Sequence, residues 1–375
     1  MPLGYSAHVR ISLCVLALAA CGGEPAARPA IRFLHTFAAD ETELFNATMA
    51  ERGIAVESAI VPFARGQQMI GEVLHAGTAC PDLIRIDATW LPALETADLI
   101  LPAPDSLARL DWTPEAAALA GARAVPQTVD GLIVVRDSSS PEPGSPRVED
   151  LVAAARAART QSRPFPLGLR VDGYWLLPWL RAEGGDLAPS GIVGEGAVRA
   201  LDRFASLFGD VAPPPPPPGS EAPEELRRYS EHEVAYWITG PWQLAALRER
   251  EFIAVSPIAH APRGGQLLVV PRCAKHPPEG WRLASELTSV DVELRFAEAF
   301  ATVPTRAAAL DAASGLVKSV YAALQASEPL PRAAISPLLF DDLTPALAAV
   351  VGRDATSIEA IDGVRHGWAR LTRSP

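Results

Sequence analysis

Short apolar stretches alternate with amphipathic ones along the first third of the chain. Residues 31–37, 54–63 and 82–87 are rich in branched apolar and aromatic side chains, which is typical of β-strands. The segments between them have helical spacing and end at Gly53 and Gly77, residues that commonly terminate helices. The order β-α-β-α-β with short turns predicts a parallel α/β layer.

The same alternation returns later in the chain, and from Glu279 onward the pattern is mostly helical. Helical spacing is found at 148–159, 174–182 and 198–208. The apolar stretches of this part predict strands at 131–135, 167–171, 234–239, 253–258 and 266–270. The whole chain therefore belongs to the α/β class.

The N-terminal segment indicates export. Residues 11–20 form an apolar stretch after Arg10, too short to cross a hydrocarbon core of roughly 30 Å but suited to a secretory signal. It runs into Leu-Ala-Ala-Cys-Gly at 18–22, which resembles the lipobox of bacterial lipoproteins. That resemblance implies a signal peptide at 1–20, a lipidated Cys21 and a tether at 21–30. The protein would then be lipid-anchored in the periplasm or on the outer face of the cell membrane, whereas the alternative is a plain signal peptide with a chance cysteine.

Composition narrows the function classes further. The chain has 375 residues, of which 49% are hydrophobic, enough for two domains with sizeable cores. The net charge of -11 argues against a nucleic-acid-binding surface, and there is no long apolar run typical of a polytopic membrane protein. Of the four cysteines, Cys14 lies in the signal and Cys21 takes the lipid. An oxidising compartment permits the remaining two, Cys80 and Cys273, to pair.

The common catalytic and cofactor motifs are absent from the sequence. There is no phosphate-binding loop, no HExxH, no CxxC and no nucleophile elbow, and the seven histidines are scattered. His232 and His260 without local ligand spacing are weak evidence for a metal. The sequence therefore predicts no catalytic residues, no cofactor and no metal site. The prolines at 213–218 predict a rigid surface loop, with a recognition motif for a proline-binding module as the alternative.

Aromatic and acidic residues follow the predicted strands, where the carboxyl ends of an open α/β sheet line the ligand crevice. Asp87 and Trp90 follow the third strand. Tyr174 and Trp175 follow the strand at 167–171. Gly-Pro-Trp at 240–242 follows the strand at 234–239, and Pro suits the first position of a helix.

Several of these segments resemble one known family. Ile-Thr-Gly-Pro-Trp-Gln-Leu at 238–244 is similar to the strand–GPW–helix element of extracellular solute-binding proteins of ABC importers, in the branch that includes maltose- and trehalose-binding proteins. Further segments resemble the same family in the same order, at 33–41, 76–90, 174–186, 275–296 and 303–306. The ordered set spans about residues 31 to 371.

The resemblance implies a two-lobed, type II periplasmic-binding-protein fold. Each lobe would be a mostly parallel sheet flanked by helices, with the ligand cleft between the lobes. Lobe 1 would comprise 31–128 and 271–326, and lobe 2 would comprise 129–270 and 327–375. The expected protein is a monomer that binds a di- or oligosaccharide by closing its lobes and delivers it to a membrane permease, without enzymatic activity or nucleic-acid contacts.

The resemblance also implies a set of ligand contacts. Aromatic faces stack on the apolar C–H faces of a sugar, and charged side chains bind its hydroxyls. The expected stacking residues are Trp90, Tyr174, Trp175 and Trp242, and the expected polar contacts are Glu41, Asp87 and Arg306. Alternatives remain for each: Trp90, Trp175 or Trp242 packs in the core, Asp87 only caps a helix, Glu41 faces solvent, and Arg306 pairs with a local carboxylate.

In this fold the strand that returns from lobe 2 runs antiparallel beside the third strand. Cys80 precedes the third strand and Cys273 follows the returning one, so the resemblance implies a disulfide between them. Three other functions stay open: the same fold with a non-sugar polar solute such as a polyamine, a sensor or adhesion lipoprotein without transport, and, least supported, an exported enzyme.

Overall fold

The structure is a computed structural model that describes residues 29–188, 191–215, 224–247, 253–335 and 338–371. The predicted signal peptide at 1–20 and the lipidation site Cys21 lie outside these ranges, as do Pro216 to Pro218 of the proline run. Within the described ranges, no helix combines the length and the apolar character that crossing a membrane requires.

Strands and helices alternate through most of the chain. In chain order the strands are β1 (Ile31–His35), β2 (Val56–Ile60), β3 (Leu83–Asp87), β4 (Val125–Gly131), β5 (Ile133–Asp137), β6 (Leu167–Gly168), β7 (Asp186–Ala188), β8 (Gly191–Val193), β9 (Tyr236–Thr239), β10 (Ile253–Ser256), β11 (Pro262–Val269) and β12 (Glu328–Pro329). The α-helices are α1 (Ala39–Glu51), α2 (Phe63–Ala76), α3 (Leu91–Thr96), α4 (Asp105–Ala108), α5 (Pro114–Ala120), α6 (Val148–Ala157), α7 (Gly173–Ala182), α8 (Ala197–Ser206), α9 (Glu224–Ser230), α10 (Pro277–Leu287), α11 (Val290–Phe300), α12 (Ala307–Ala312), α13 (Gly315–Leu324), α14 (Leu338–Val351) and α15 (Ser357–Leu371). Two 3₁₀ helices span Ala88–Trp90 and Pro241–Leu247.

The first sheet has the strand order β12-β11-β3-β1-β2, and β4 also pairs with β11. β1 pairs in parallel with both β2 and β3, as the β-α-β-α-β pattern predicts. β11 runs antiparallel to β3 and to β4, and its register shifts between Gln266 and Leu267. An irregularity of this kind changes the direction of nearby side chains, and here it lies beside Gln266.

The second sheet has the order β10-β5-β9-β6. β5 is antiparallel to both β10 and β9, and only β9 and β6 are parallel. This sheet therefore differs from the mostly parallel arrangement that the sequence predicts. β5 is the central element of the difference, because it runs antiparallel to both of its neighbours in this sheet.

The apolar side chains of each sheet are buried against a set of helices that belongs to that sheet. Phe33, Phe45 and Leu83 lie in a core that α1, α10 and α11 complete in the first sheet. The second sheet packs Leu132 and Tyr236 against α6, α7, α8, α14 and α15. On its other face, α13 packs against β5 and β10. The two sheets are the centres of two lobes, and a further core cluster that includes Val129 of β4, Ile133 of β5 and Val317 of α13 lies where they join.

The chain passes between the two sheets where β4 continues into β5 and where β10 leads into β11. A third passage follows β12, which pairs in parallel with the start of β11 at Pro262 and Arg263. Because β4 and β11 are paired along Gly131 to Val125, two of these connections lie side by side. Residues on them are positioned between the two lobes.

Candidate functional site

The first component of the site is the turn that ends β3. The Asp87 carboxylate Oδ1 accepts hydrogen bonds from the Thr89 backbone N–H at 2.8 Å and the Thr89 hydroxyl at 2.5 Å, which starts the 3₁₀ helix 88–90. Burial raises the pKa of Asp87, although these hydrogen bonds oppose the shift. Asp87 therefore caps this short helix through Oδ1, and its Oδ2 is left to accept from another residue.

Behind this turn lies a network of buried polar side chains that joins β1, β3, β4 and β11. The Arg85 guanidinium donates to Gln127 Oε1 at 2.6 Å and to Thr36 Oγ1 at 2.7 Å, and it lies 4.5 Å from the centroid of the Phe37 ring. Gln266 Nε2 donates to Asp87 Oδ2 at 3.2 Å. Gln266 Oε1 in turn accepts from the Thr36 hydroxyl at 3.4 Å, so this amide links the carboxylate at the end of β3 to the polar side chains around Arg85.

Asp130 adds a second carboxylate from β4, and the sequence analysis did not select it. Burial, together with repulsion from the Asp87 carboxylate, raises the pKa of Asp130 to about 7, while Arg85 and Gln266 oppose the shift. An Asp immediately before Gly131, next to the start of a predicted strand, was the available signal in the sequence. Asp87 and Asp130 place two acceptors for hydroxyl or ammonium donors in one region.

The second component of the site is a row of aromatic rings on the second lobe. The row runs from Phe340 to Tyr174, then Trp175, then Trp242, with successive centroids 5.7, 5.8 and 6.4 Å apart. The sequence analysis found the last three members but not Phe340, which lies 166 residues away from Tyr174 in an otherwise ordinary apolar helix. Edge-to-face contacts of this kind hold each ring in a fixed orientation.

The members of the row differ in exposure. Trp175 is only 7% exposed, and its indole N–H donates to the Ile238 carbonyl at 2.8 Å. Trp242 is 44% exposed, although its six-membered ring folds back over Gly240, where a Cβ atom would lie 2.1 Å from Trp242 Cζ3. Gly240 is therefore required for this position of the indole. Trp242 presents the free aromatic face, and Trp175 supports it from behind.

The polar network and the aromatic row meet beside Gly264 of β11. A Cβ atom at Gly264 would lie 3.2 Å from Asp130 Oδ1 and 3.9 Å from the Tyr174 hydroxyl. The Tyr174 hydroxyl donates to the Pro262 carbonyl at 3.3 Å. Burial raises the pKa of Tyr174 well above its usual value, and the Asp130 and Asp87 carboxylates add to the shift. Carboxylates at the ends of β3 and β4 and aromatic rings of α7 are thus brought together at the connecting strands.

Comparison with known proteins identifies the architecture. No family model matches the sequence, and no curated protein matches it. Among solved structures, the GacH receptor of Streptomyces glaucescens, studied unliganded and with acarbose, is similar at a TM-score of 0.80 and 22% identity, covering 91% of this chain and 98% of that one. The Thermus thermophilus maltotriose-binding protein matches at 0.79 and 16%, covering 91% and 100%. A solute-binding protein of Thermotoga lettingae bound with α-D-tagatose matches at 0.78 and 18%, covering 92% and 100%.

The chain has the two-lobed fold of type II periplasmic binding proteins. The fold class predicted from the sequence is thereby confirmed. The polar network and the aromatic row both lie beside the strands that connect the two lobes.

Trp90 lies in the first lobe but offers little surface to a ligand. It is 6% exposed, packs closely over Gly66 of α2, and has its ring 5.4 Å from the Phe63 ring. Phe63 itself is 56% exposed. The aromatic surface on this side of the cleft is therefore that of Phe63, a residue that the sequence analysis placed at the end of a strand and did not consider.

Glu41 and Arg306 have local partners in the structure. Glu41 Oε2 accepts from the Ala38 backbone N–H at 2.8 Å and so satisfies a free donor at the start of α1. Glu41 also lines a small pocket with Arg85, and its charge helps to keep that guanidinium protonated. Arg306 pairs with Asp111 and donates to the Thr288 carbonyl at 3.3 Å. Their roles as ligand contacts stay predictions.

Cys80 and Cys273 form a disulfide in the structure, with their Cα atoms 5.8 Å apart. Cys80 is 2% exposed and precedes β3, whereas Cys273 follows β11. The bond therefore lies at the opposite end of these strands from Asp87 and Gln266. Within the described part of the chain, no group of three or more His, Cys, Asp or Glu side chains is arranged to hold a metal ion.

Proposed function

We propose that this protein is an extracytoplasmic substrate-binding protein of an ABC importer that binds a carbohydrate between its lobes. The observation that carries the proposal is the junction at Gly264, where Asp130 Oδ1 and the hydroxyl of Tyr174, a member of the aromatic row, lie 3.2 and 3.9 Å from the same point. A pyranose needs acceptors for its hydroxyl rim and an aromatic face for its C–H groups, and this junction supplies both.

The solved structures with the same fold support a sugar ligand. The Streptomyces glaucescens receptor was determined with acarbose and the Thermus thermophilus protein with maltotriose. Binding would close the lobes through contacts that exist only in the closed state, and the closed form would deliver the sugar to a membrane permease. The protein would act as a monomeric carrier and not as an enzyme.

The lobe boundaries and the anchor are parts of the same proposal. The lobes would comprise 31–128 with 271–326 and 129–270 with 327–375. Lipidation of Cys21 after removal of residues 1–20 would hold the protein at a membrane outside the cytoplasm. Incorporation of a radiolabelled fatty acid into the full chain, and its loss in Cys21→Ser, would test the anchor.

A second ligand class is favoured by one specific observation. Two carboxylates, Asp87 and Asp130, lie beside an aromatic row, and this combination also suits an organic cation such as a polyamine. Protonation of Asp130 near neutral pH weakens that alternative, because a neutral carboxyl attracts a cation less strongly.

A thermal-shift screen of the soluble chain, residues 22–375, distinguishes the two ligand classes. A ligand at 100 times its Kd stabilises the folded state by roughly 2.7 kcal/mol and raises the Tm measurably. We expect shifts with sugars and none with spermidine or putrescine. Shifts with the amines alone would replace the carbohydrate proposal with the cation alternative.

A further inference from the structure

Two aromatic side chains of the described part are strongly exposed, and they lie in corresponding places of the two lobes. Phe63 is 56% exposed and follows the carboxyl end of β2 by three residues. Trp242 is 44% exposed and follows the carboxyl end of β9 by three residues. The carboxyl ends of such strands line the ligand crevice in open α/β sheets, so each ring belongs to one wall of the cleft.

The Phe63 ring is supported from behind in the same way as Trp242. Trp90 lies 5.4 Å from Phe63, centroid to centroid, with the ring planes tilted by 37°. Trp90 is itself fixed because it packs on Gly66, where a Cβ atom would lie 2.3 Å from Trp90 Cη2. A buried tryptophan thus holds an exposed phenylalanine on one lobe, as Trp175 holds Trp242 on the other.

The polar neighbours of this pair suit a sugar rather than an apolar protein surface. Trp90 ends the 3₁₀ helix that Asp87 caps, so the carboxylate and the tryptophan that supports Phe63 are carried by one short turn. An aromatic plane beside a hydroxyl acceptor is the combination that a pyranose ring requires. A partner protein that only covered apolar surface would have no use for the carboxylate.

We propose that Phe63 forms a second sugar subsite on the wall of the first lobe, separate from the aromatic row of the second lobe. The ligand is then an oligosaccharide, with one ring against Trp242 and a later ring against Phe63. This inference rests on the proposed carbohydrate function and adds the chain length of the substrate to it.

The test compares Phe63→Ala and Phe63→Tyr with the unaltered chain of residues 22–375. Calorimetric titration gives Kd for three series of probes: glucose, maltose and maltotriose; cellobiose and cellotriose; sucrose and raffinose. Phe63→Ala should raise the Kd of the longer members about 2- to 12-fold, the value of one aromatic stack, and leave the shortest bound member within about 2-fold. Phe63→Tyr keeps the aromatic plane and should bind like the unaltered chain.

Ile358→Ala is the matched control, because Ile358 is an apolar side chain that is 61% exposed in the second lobe. Ile358 follows the C-terminal end of α14, whereas Phe340 lies near the N-terminal end of the same helix. With 14 residues the helix is about 21 Å long, so Ile358 is far from the aromatic row. This variant should leave every Kd unchanged.

The outcomes separate the subsite from the function itself. Equal weakening of all chain lengths by Phe63→Ala, or no weakening of any, overturns the second subsite while the carbohydrate function stands. Unchanged Kd values together with lost uptake through a reconstituted permease also overturn it, since Phe63 would then contact a protein partner. If the unaltered chain binds none of the sugars, the proposed function fails and the subsite fails with it.

Discussion

At the scale of single residues, Trp175 and Trp242 show how two identical side chains come to serve different purposes. Their rings are 6.4 Å apart, yet one is 7% exposed and hydrogen-bonded to the backbone whereas the other is 44% exposed. The helical spacing of Trp175 and Trp179 indicates that at least one of them packs in a core, but it does not show which face of α7 meets the cleft. The exposure of a side chain depends on what packs against it, and that is set by elements far away in sequence.

Replacing Trp242 should therefore change binding more than folding. Trp242→Ala removes one stacking face and should raise the sugar Kd by about 2- to 12-fold, with a free energy of unfolding within about 0.5 kcal/mol of the unaltered chain. Trp242→Phe retains an aromatic plane and serves as the control. Calorimetric titration and urea unfolding check the two quantities, and an unchanged Kd in Trp242→Ala would remove this residue from the site.

Asp130 makes folding sensitive to pH. Its pKa rises from an ordinary value of 3.8 to about 7 because the folded protein buries the carboxyl beside Asp87. The folded state then binds a proton more tightly than the unfolded state. The contribution of Asp130 to the free energy of unfolding is therefore fully favourable below about pH 4, declines up to about pH 7, and is constant above it.

Asp130→Asn should remove this decline. The free energy of unfolding of the variant, relative to that of the unaltered chain, should increase between about pH 4 and pH 7 and then stay constant. The total increase should be no more than about 4 kcal/mol, because one pKa unit is worth about 1.4 kcal/mol. Urea unfolding at several pH values measures it. Glu293→Gln is the matched comparison. Because burial raises the pKa of Glu293 to about 8, the difference in unfolding free energy for this variant should keep increasing up to about pH 8. A pH-independent difference for Asp130→Asn would contradict the assignment.

At the scale of elements, α7 is tied to the connecting segments by a buried arginine. Arg181 is 8% exposed, and its guanidinium donates to the carbonyls of His260 at 3.2 Å, Glu328 at 3.4 Å and Pro329 at 3.1 Å. It also pairs with Asp186 at 2.8 Å. One side chain of the second lobe thus satisfies backbone groups at the start of β11 and along β12.

Removing this guanidinium should destabilise the molecule. Arg181→Met leaves three part-buried carbonyls and the Asp186 carboxylate without their donor, and it should lower the free energy of unfolding by about 2–4 kcal/mol. Arg147→Met is the control, because the Arg147 side chain is 67% exposed in its pair with Asp150, and we expect a change below about 0.5 kcal/mol. Equal effects of the two substitutions in urea unfolding would show that Arg181 does not hold the connecting segments.

The elements also show which parts of the fold the sequence could predict. The parallel arrangement of β1, β2 and β3 follows from local apolar runs separated by glycine-terminated helices, and it was predicted. β4 was not predicted as a strand through Val125–Gly131, because Pro126, Gln127 and Asp130 interrupt its apolar pattern. Its pairing with β11 depends on residues more than a hundred positions later, so no local signal could reveal it.

At the scale of the whole molecule, the candidate site was only half predictable. The aromatic residues follow strands or glycines and can be found from spacing, which is why Tyr174, Trp175 and Trp242 were selected. The buried network of Arg85, Gln266 and Asp130 was missed, because isolated polar residues within strands look like surface positions until both neighbouring strands are known.

The disulfide joins parts of the chain that are 193 residues apart. Reducing it should lower the free energy of unfolding by about 2–5 kcal/mol, since it restricts a long loop of the unfolded chain. Thiol titration of the unfolded, unreduced chain of residues 22–375 should find no reactive thiol. Two reactive thiols per chain would show that Cys80 and Cys273 are not bonded.

The position of this bond has a practical result when a protease cuts the backbone. All strands of the second sheet lie between Cys80 and Cys273, so the bond closes a covalent ring around them. A single backbone cut anywhere from residue 81 to residue 272 opens that ring without releasing a fragment. A nicked molecule should therefore migrate as one full-length band on a denaturing gel, and separate into two pieces only after a reductant is added.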